Sequence, residues 1–228
     1  MAFGFRIKER FTRVPAQLAE RFRGLPTANV SDAMARIQGA GAALRPLHEG
    51  SPLLGPALTV RTRPGDNLMV HKAMDLAEPG DVIVIDGGGD LENALIGELM
   101  ITYAQLRGVA GFVVQGAVRD LDFIRNSPMP VFAMGVTHRG PYKSGPGEIG
   151  FPIRLGAMVV APGDLILGDA DGVVAIPRGE AEQVLAAARA KQEAEQRQMA
   201  ATLARTLDRS WVDAELAKLG CERDAAPD

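Results

Sequence analysis

The stretch Asn93–Asn126, NALIGELMITYAQLRGVAGFVVQGAVRDLDFIRN, constrains the fold more than any other part of the chain. Apolar residues at Leu95, Ile96, Leu99, Tyr103 and Leu106 fit a helical period. Gly111–Val114 reads as a short apolar strand, and Arg119-Asp120 follows it closely before a second helical segment. Helix, strand, charged turn and helix in this order describe an α/β unit. In such units a helix start and a post-strand loop face one crevice, where ligands bind. Glu98, Arg119 and Asp120 can therefore converge, and two carboxylates with one guanidinium suit a divalent cation and an anionic substrate.

The flanking segments extend the same pattern. Pro56–Thr62 and DVIVID at Asp81–Asp86 read as strands, with Asn67–Leu76 between them as a helix. The glycines at 87, 88 and 89 are not a dinucleotide fingerprint, because position 92 is Glu92. They suit a tight turn or close backbone approach. Pro-Gly-Asp occurs at residues 64–66, 79–81 and 162–164, with Gly in the turn position that needs a positive φ. Val131–Met134, Met158–Val160, Leu165–Leu167 and Val173–Ile176 are further short strands. Asp169–Gly172 reads as a hairpin turn, and His138–Gly150 as a polar loop of functional length. Residues 5 to 23 suggest one or two short helices broken near Pro15. Thr27 and Ser31-Asp32 are candidate N-caps.

From Gly179 onward the chain is expected to be helical. Arg189–Gln198 is polar on nearly all sides, followed by an apolar stripe of Met199, Leu203, Leu207 and Trp211. Residues 1–178 are thus expected to form an α/β catalytic domain, and 179–228 a helical arm that helps assemble an oligomer.

Composition excludes several classes. In 228 residues, 46% hydrophobic and 23% charged, the net charge is −3 without a dense Lys/Arg block, which argues against nucleic-acid binding. Cys221 is alone, so one chain has no disulfide and no Cys-based zinc site. No apolar run suits a signal core or a bilayer span, so no membrane partner is expected and a cytoplasmic protein is the default reading.

Cleavage of a C–C bond beside a 2-keto acid needs a Schiff-base lysine or a Lewis-acid metal. Only Lys72 and Lys143 lie in the expected core as lysine candidates, and His48, His71 and His138 are scattered. In the metal reading Asp120 is a direct ligand, Glu98 holds a metal-bound water, and Arg119 pairs with the substrate's keto or carboxylate oxygen. Backbone N–H groups near Leu99 and Met100 take the substrate carboxylate if the helix starts close to Gly97. They are consumed inside the helix if it starts at Asn93. The structural alternative remains: Glu98 answers the helix dipole, Asp120 caps the next helix, and Arg119 lies on the surface.

Gly97-Glu98-Leu99-Met100, with twenty residues between Glu98 and the following Arg119-Asp120, resembles the signature of the 4-hydroxy-4-methyl-2-oxoglutarate/4-carboxy-4-hydroxy-2-oxoadipate aldolases. These group with proteins like the regulator of ribonuclease E activity A. Ser31-Asp32-Ala33, Pro79–Val82, Arg139–Pro141, Pro162–Asp164 and Asp171–Val174 match in order, over about residues 25–220. The resemblance implies a swivelling α/β sandwich of α-β-β-α layers with a long C-terminal helical arm. It implies a homotrimer or homohexamer and a class II pyruvate aldolase, with oxaloacetate decarboxylase side activity on a small 2-keto acid. The implied cofactor is Mg2+, with Mn2+ or Co2+ as substitutes. Asp120 would ligate the metal directly and Glu98 through water. Arg119 would bind pyruvate, with Gly97, Glu98, Leu99 and Met100 around its carboxylate. Glu193 of a neighbouring subunit would act through a second water, with Glu195 the other candidate. Gln115, before Gly116, departs from the pattern. Some relatives bind and inhibit ribonuclease E instead of catalysing, which leaves a non-catalytic protein-binding modulator as the alternative.

Overall fold

The computed structural model describes residues 3–222. The strands are β1 (Phe5–Ile7), β2 (Arg45–Pro46), β3 (Leu53–Thr62), β4 (Val82–Asp86), β5 (Gly111–Val118), β6 (Val131–Val136), β7 (Gly147–Ile149), β8 (Ile153–Leu155), β9 (Met158–Val160), β10 (Leu165–Asp169) and β11 (Gly172–Ile176). The helices are α1 (Ala16–Glu20), α2 (Thr27–Ala33), α3 (Leu68–Leu76), α4 (Glu98–Leu106), α5 (Leu121–Asn126), α6 (Ala181–Leu203) and α7 (Ser210–Lys218). Phe5–Ile7 is therefore a strand, not the expected helix, and it pairs in parallel with β7. The alternation of basic and apolar groups there has period two.

The central strands β3, β4, β5 and β6 are parallel neighbours. Strands buried on both faces read as continuous apolar runs, and VIVI of β4 shows why. Ile83 and Ile85 enter one core with Phe112 and Val114, against α3 and α4. Val82 and Val84 enter a second core with Val113 and Phe132, against β8–β11. A third core lies beyond β10 and β11, where Leu165, Leu167 and Val174 meet Phe22, Val30 and Leu185 of the α1, α2 and α6 side. Three cores between four layers make an α-β-β-α sandwich. Each buried Val, Ile, Leu or Phe contributes about 1.5–3 kcal/mol to holding the layers.

Strand β3 joins the two sheets. Its first half pairs antiparallel with β10, and from Ala57 it pairs with β4. At each Pro-Gly-Asp the Asp N–H donates to the carbonyl three residues back (Arg63, Glu78 and Ala161), and the glycines have φ of 73°, 92° and 84°. Asp81 and Asp164 also accept from the N–H of Glu78 and Ala161, closing the corner with a second bond. Neither Thr27 nor Ser31 caps a helix. The α2 N-terminus is instead capped by Asp169, whose carboxylate accepts from the Thr27 N–H at 2.8 Å, and Asp32 pairs with Arg36.

The chain divides into two compact units between Arg189 and Ala190. Ala181, Val184, Leu185 and Ala188 of α6 are buried in the first unit. In the second, Met199, Leu203 and Trp211 are exposed, and α7 buries none of its residues. The helix expected to run on through Leu207 ends at Leu203, and Arg205 follows with φ 57°. Among the described residues no helix is long and apolar enough to cross a membrane.

Candidate active site

Helix α4 begins at Glu98, with Gly97 in extended conformation before it. Leu95 and Ile96 are buried but precede the helix, held by the Leu95 N–H to the Ala117 carbonyl and the Arg119 N–H to the Ile96 carbonyl. The expected apolar stripe is thus corrected. Ile101 and Ala104 form the buried face, whereas Leu99 and Leu106 are 81% and 84% exposed. Spacing alone marks an apolar face without saying what covers it.

The late helix start matters for chemistry. The Met100 and Ile101 N–H groups both donate to the Gly97 carbonyl, and the Glu98 N–H donates to Asp120 Oδ2 at 2.8 Å. The Leu99 N–H makes no bond among the described residues. Of the amides expected near the substrate carboxylate, Leu99 has a free one and Met100 does not.

Strand β5 delivers Arg119 and Asp120 from the carboxyl end of the parallel sheet, where ligands of such sheets bind. Asp120 occupies the N-cap position of α5, but its side chain does not cap that helix. It reaches across to Glu98 instead, with Arg119 Nε at 3.8 Å. Its backbone is left-handed, φ 60° and ψ 47°, which costs a non-glycine residue about 1–2 kcal/mol. Strain of this kind concentrates at functional sites. Gly97 has no room for a side chain, since a Cβ there would lie 2.8 Å from Arg119 Cγ and closer still to Asp120 Oδ2. The tight approach of Gly97 to the charged pair is the reason this position is glycine.

The expected loop His138–Gly150 is irregular only as far as Pro146, because Gly147–Ile149 forms β7 between β1 and β3, and its first part closes the site from the other side. The Ala94 N–H donates to the Arg139 carbonyl, Asn93 Nδ2 donates to the Gly140 carbonyl at 2.6 Å, and Gly140 sits beside Arg119 Nη1. Asp66 anchors this loop by accepting from the Ser144 and Gly145 N–H groups at 2.7 and 2.9 Å. Burial pushes its carboxyl pKa up, but these bonds, that from the Leu68 N–H and nearby Arg63 outweigh burial and hold it below the ordinary value. The resulting cleft is lined by Asn67, Leu95, Gly97, Leu99, Met100 and Arg119. A larger hollow lined by Met34, Ile37 and Val184 has Glu180 as its only charged group and offers no comparable chemistry.

A hydrated hard cation fits this donor set. Asp120 is about two-fifths exposed with one oxygen engaged, and Glu98 is exposed beside it in the fold. Mg2+ keeps several waters and takes one or two carboxylates. Among the described residues no three or more His, Cys, Asp or Glu converge, so one chain by itself offers no fuller cage. Glu193 is exposed on α6, in the second unit, and Glu195 pairs with Lys191. Lys72 and Lys143 are exposed, unlike a desolvated Schiff-base lysine. Asn67, which sequence reasoning left unmarked, lines the cleft. Its only signal was a polar residue opening a predicted helix.

Fold and site together define a layered α/β protein with a cleft at the carboxyl end of its parallel strands, lined by a helix start and an arginine beside an aspartate. The chain belongs to the RraA-like aldolase/RraA family, whose profile matches residues 27–175. It is 45% identical over 172 residues to a putative 4-hydroxy-4-methyl-2-oxoglutarate aldolase of Halalkalibacterium halodurans, a match covering 75% of this chain and 82% of the relative. Its fold is similar to that of an uncharacterized protein from Pseudomonas syringae pv. tomato, with TM-score 0.76, 26% identity and 85% and 96% of the two chains covered. It is also similar to the RNA-processing inhibitor RraA from Thermus thermophilis, with TM-score 0.62, 32% identity and coverage of 67% and 92%.

Proposed function

We propose that this chain is a divalent-metal-dependent class II pyruvate aldolase. It would cleave a 4-hydroxy-2-keto acid, such as 4-hydroxy-4-methyl-2-oxoglutarate or 4-carboxy-4-hydroxy-2-oxoadipate, to pyruvate and a second keto acid. It would also decarboxylate oxaloacetate. The observation that carries the reading is the meeting of the free Leu99 N–H, the Arg119 guanidinium and the strained Asp120 carboxylate around Gly97. The helix-start N–H takes the substrate carboxylate. Arg119 lies against the keto oxygen and neutralises the charge that grows there as the enolate forms. Asp120 holds the cation directly, and Glu98 through water. Mg2+ is the expected ion, with Mn2+ or Co2+ able to substitute, and when bound it supplies Lewis-acid stabilisation of the same oxygen. Glu193 from another copy of the chain is the candidate for a further water-mediated carboxylate, and a homotrimer or homohexamer is the assembly that brings it there.

The test is pyruvate release from oxaloacetate and from 4-hydroxy-4-methyl-2-oxoglutarate, with Mg2+ and with EDTA. Metal-dependent release that disappears in Asp120→Ala supports the reading. A folded, Mg2+-supplied protein that releases pyruvate from neither substrate refutes it and favours a protein-binding role.

A further inference from the structure

Asn67 immediately precedes α3 and His71 lies one turn on, so their side chains share a face. Asn67 is 2% exposed. Its Nδ2 donates to the Leu95 carbonyl at 2.9 Å and lies 3.3 Å from Met100 Sδ. A carbonyl only accepts, so this contact fixes the orientation of the amide and turns Oδ1 the other way. There Oδ1 is buried without a partner, and so is His71 Nε2. Each bare buried atom costs about 1–3 kcal/mol. Two of them on one helix face, beside a cleft, are available to a hydrogen-bonding ligand.

The surroundings indicate which group that is. Leu99 and Met100 line both the cleft that holds Asn67 and an adjoining hollow that holds His71. In that hollow Asp75 is already engaged, accepting from the Tyr103 hydroxyl at 3.0 Å. Burial first, and Lys143 second, lower the His71 pKa, with Asp75 acting in the opposite sense. The imidazole is therefore neutral at pH 7 and carries one N–H. An amide oxygen that accepts and an imidazole nitrogen that donates when the single N–H is on Nε2, both on one helix face, match one hydroxyl group, which has one hydrogen to give and lone pairs to accept.

We infer that Asn67 and His71 together bind the C4 hydroxyl of a 4-hydroxy-2-keto acid. Asn67 Oδ1 accepts from the hydroxyl, and His71 Nε2–H donates to its oxygen. The pair thereby selects hydroxylated substrates over 2-keto acids that lack the group. This inference rests on the aldolase reading. It requires Met100 to yield as the ligand enters, and an unbranched thioether repacks easily. No proton leaves the substrate through Asn67, because a carboxamide is too weakly basic. A site built to hydrogen-bond a hydroxyl disfavours the analogue that lacks it, since its own polar groups then stay unpaired.

The test compares kcat/KM for 4-hydroxy-4-methyl-2-oxoglutarate and for oxaloacetate, which has no hydroxyl. Asn67 also holds the Leu95 carbonyl, so His71 is the cleaner position to change. His71→Phe keeps a ring and removes the donor, and His71→Leu repeats the comparison with a smaller side chain. Each is expected to lower kcat/KM for the hydroxylated substrate about ten- to a hundred-fold while leaving oxaloacetate decarboxylation within about two-fold. His71→Gln, which restores an N–H donor, should recover part of the difference. Equal losses on both substrates, or no loss on either, overturn the inference while the aldolase reading stands. Failure of the unaltered protein on both substrates overturns the aldolase reading, and this inference with it.

Discussion

Gly97→Ala tests the site without removing any charged group. The backbone at Gly97 is extended, φ −158° and ψ −168°, so alanine adopts it without strain. The added methyl, however, would meet Arg119 Cγ at 2.8 Å, Arg119 Nε at 3.1 Å and Asp120 Oδ2 more closely than either. The carboxylate must retreat by roughly 1 Å, which moves it off the Glu98 N–H it now meets at 2.8 Å. Loss of a hydrogen bond to a charged group costs about 1.5–3 kcal/mol of local stability. A displacement of about 1 Å in a catalytic constellation costs about 100-fold in rate. Pyruvate formation from oxaloacetate with Mg2+, followed in a coupled assay alongside thermal unfolding, separates the two effects. The expected result is a folded protein with a rate lower by about two orders of magnitude. A folded Gly97→Ala protein with unaltered turnover would show that Arg119 and Asp120 do not act where Gly97 touches them, and the proposed site would fail.

Further expectations follow from the same contacts. Asp120→Asn keeps a residue that tolerates the left-handed backbone and retains an acceptor for the Glu98 N–H. It should melt within a few degrees of the parent, yet lose Mg2+-stimulated pyruvate release. Asp66 and Asp164 should respond to acid in opposite senses. Asp66 has a folded pKa below the ordinary value, so its stabilising contribution is complete above about pH 4 and is lost as pH falls through the folded value. Burial raises the Asp164 pKa against the bonds it accepts from Arg178 and Ala161, so its ionisation costs stability at neutral pH, and acidification through that raised value relieves the cost. Urea midpoints of Asp66→Asn and Asp164→Asn between about pH 7 and about pH 3 test both, with the first flattening the acid loss and the second removing an acid gain. Leu99, Tyr103 and Leu106 expose one apolar face of α4, so Leu106→Glu should lower the oligomeric state seen in sedimentation, and an unchanged state would show that this face is not a contact between copies.

What could be read from the chain depended on how local each feature is. DVIVID announced a strand, and two packed cores account for each of its apolar residues. Pro-Gly-Asp announced its turns because glycine's positive φ is a property of a single residue. The cap of α2 was not legible, because Asp169 lies 142 residues from Thr27. Gln115 looked like a departure from the family pattern. With its amide turned to suit its neighbours, it donates to Asp86 Oδ1 and the Arg154 carbonyl, contacts that only the assembled sheets supply. The register of α4 was open between Asn93 and Gly97, since Leu95 and Ile96 continue the apolar spacing of the helix but are held outside it by β5. Asn67 was legible only as a polar residue opening a helix and His71 only as one of three scattered histidines, because an unpaired buried atom is a property of what surrounds a side chain.

The choice of residue at position 97 follows from two demands that conflict with helix stability. A serine or aspartate at an N-cap bonds the N–H of the second or third helical residue, here Leu99 or Met100, and steadies the helix by about 1 kcal/mol. At this cap that gain would occupy the Leu99 N–H, which the present structure leaves unbonded. It would also place a side chain where Asp120 and Arg119 already stand. Glycine meets both demands by offering neither a Cβ nor a capping oxygen. Asp120 complements it by satisfying the Glu98 N–H and leaving the next amide open. Helix α4 is thus left incompletely capped at the one end where an anion would bind, and its weak cap is better explained by ligand binding than by folding.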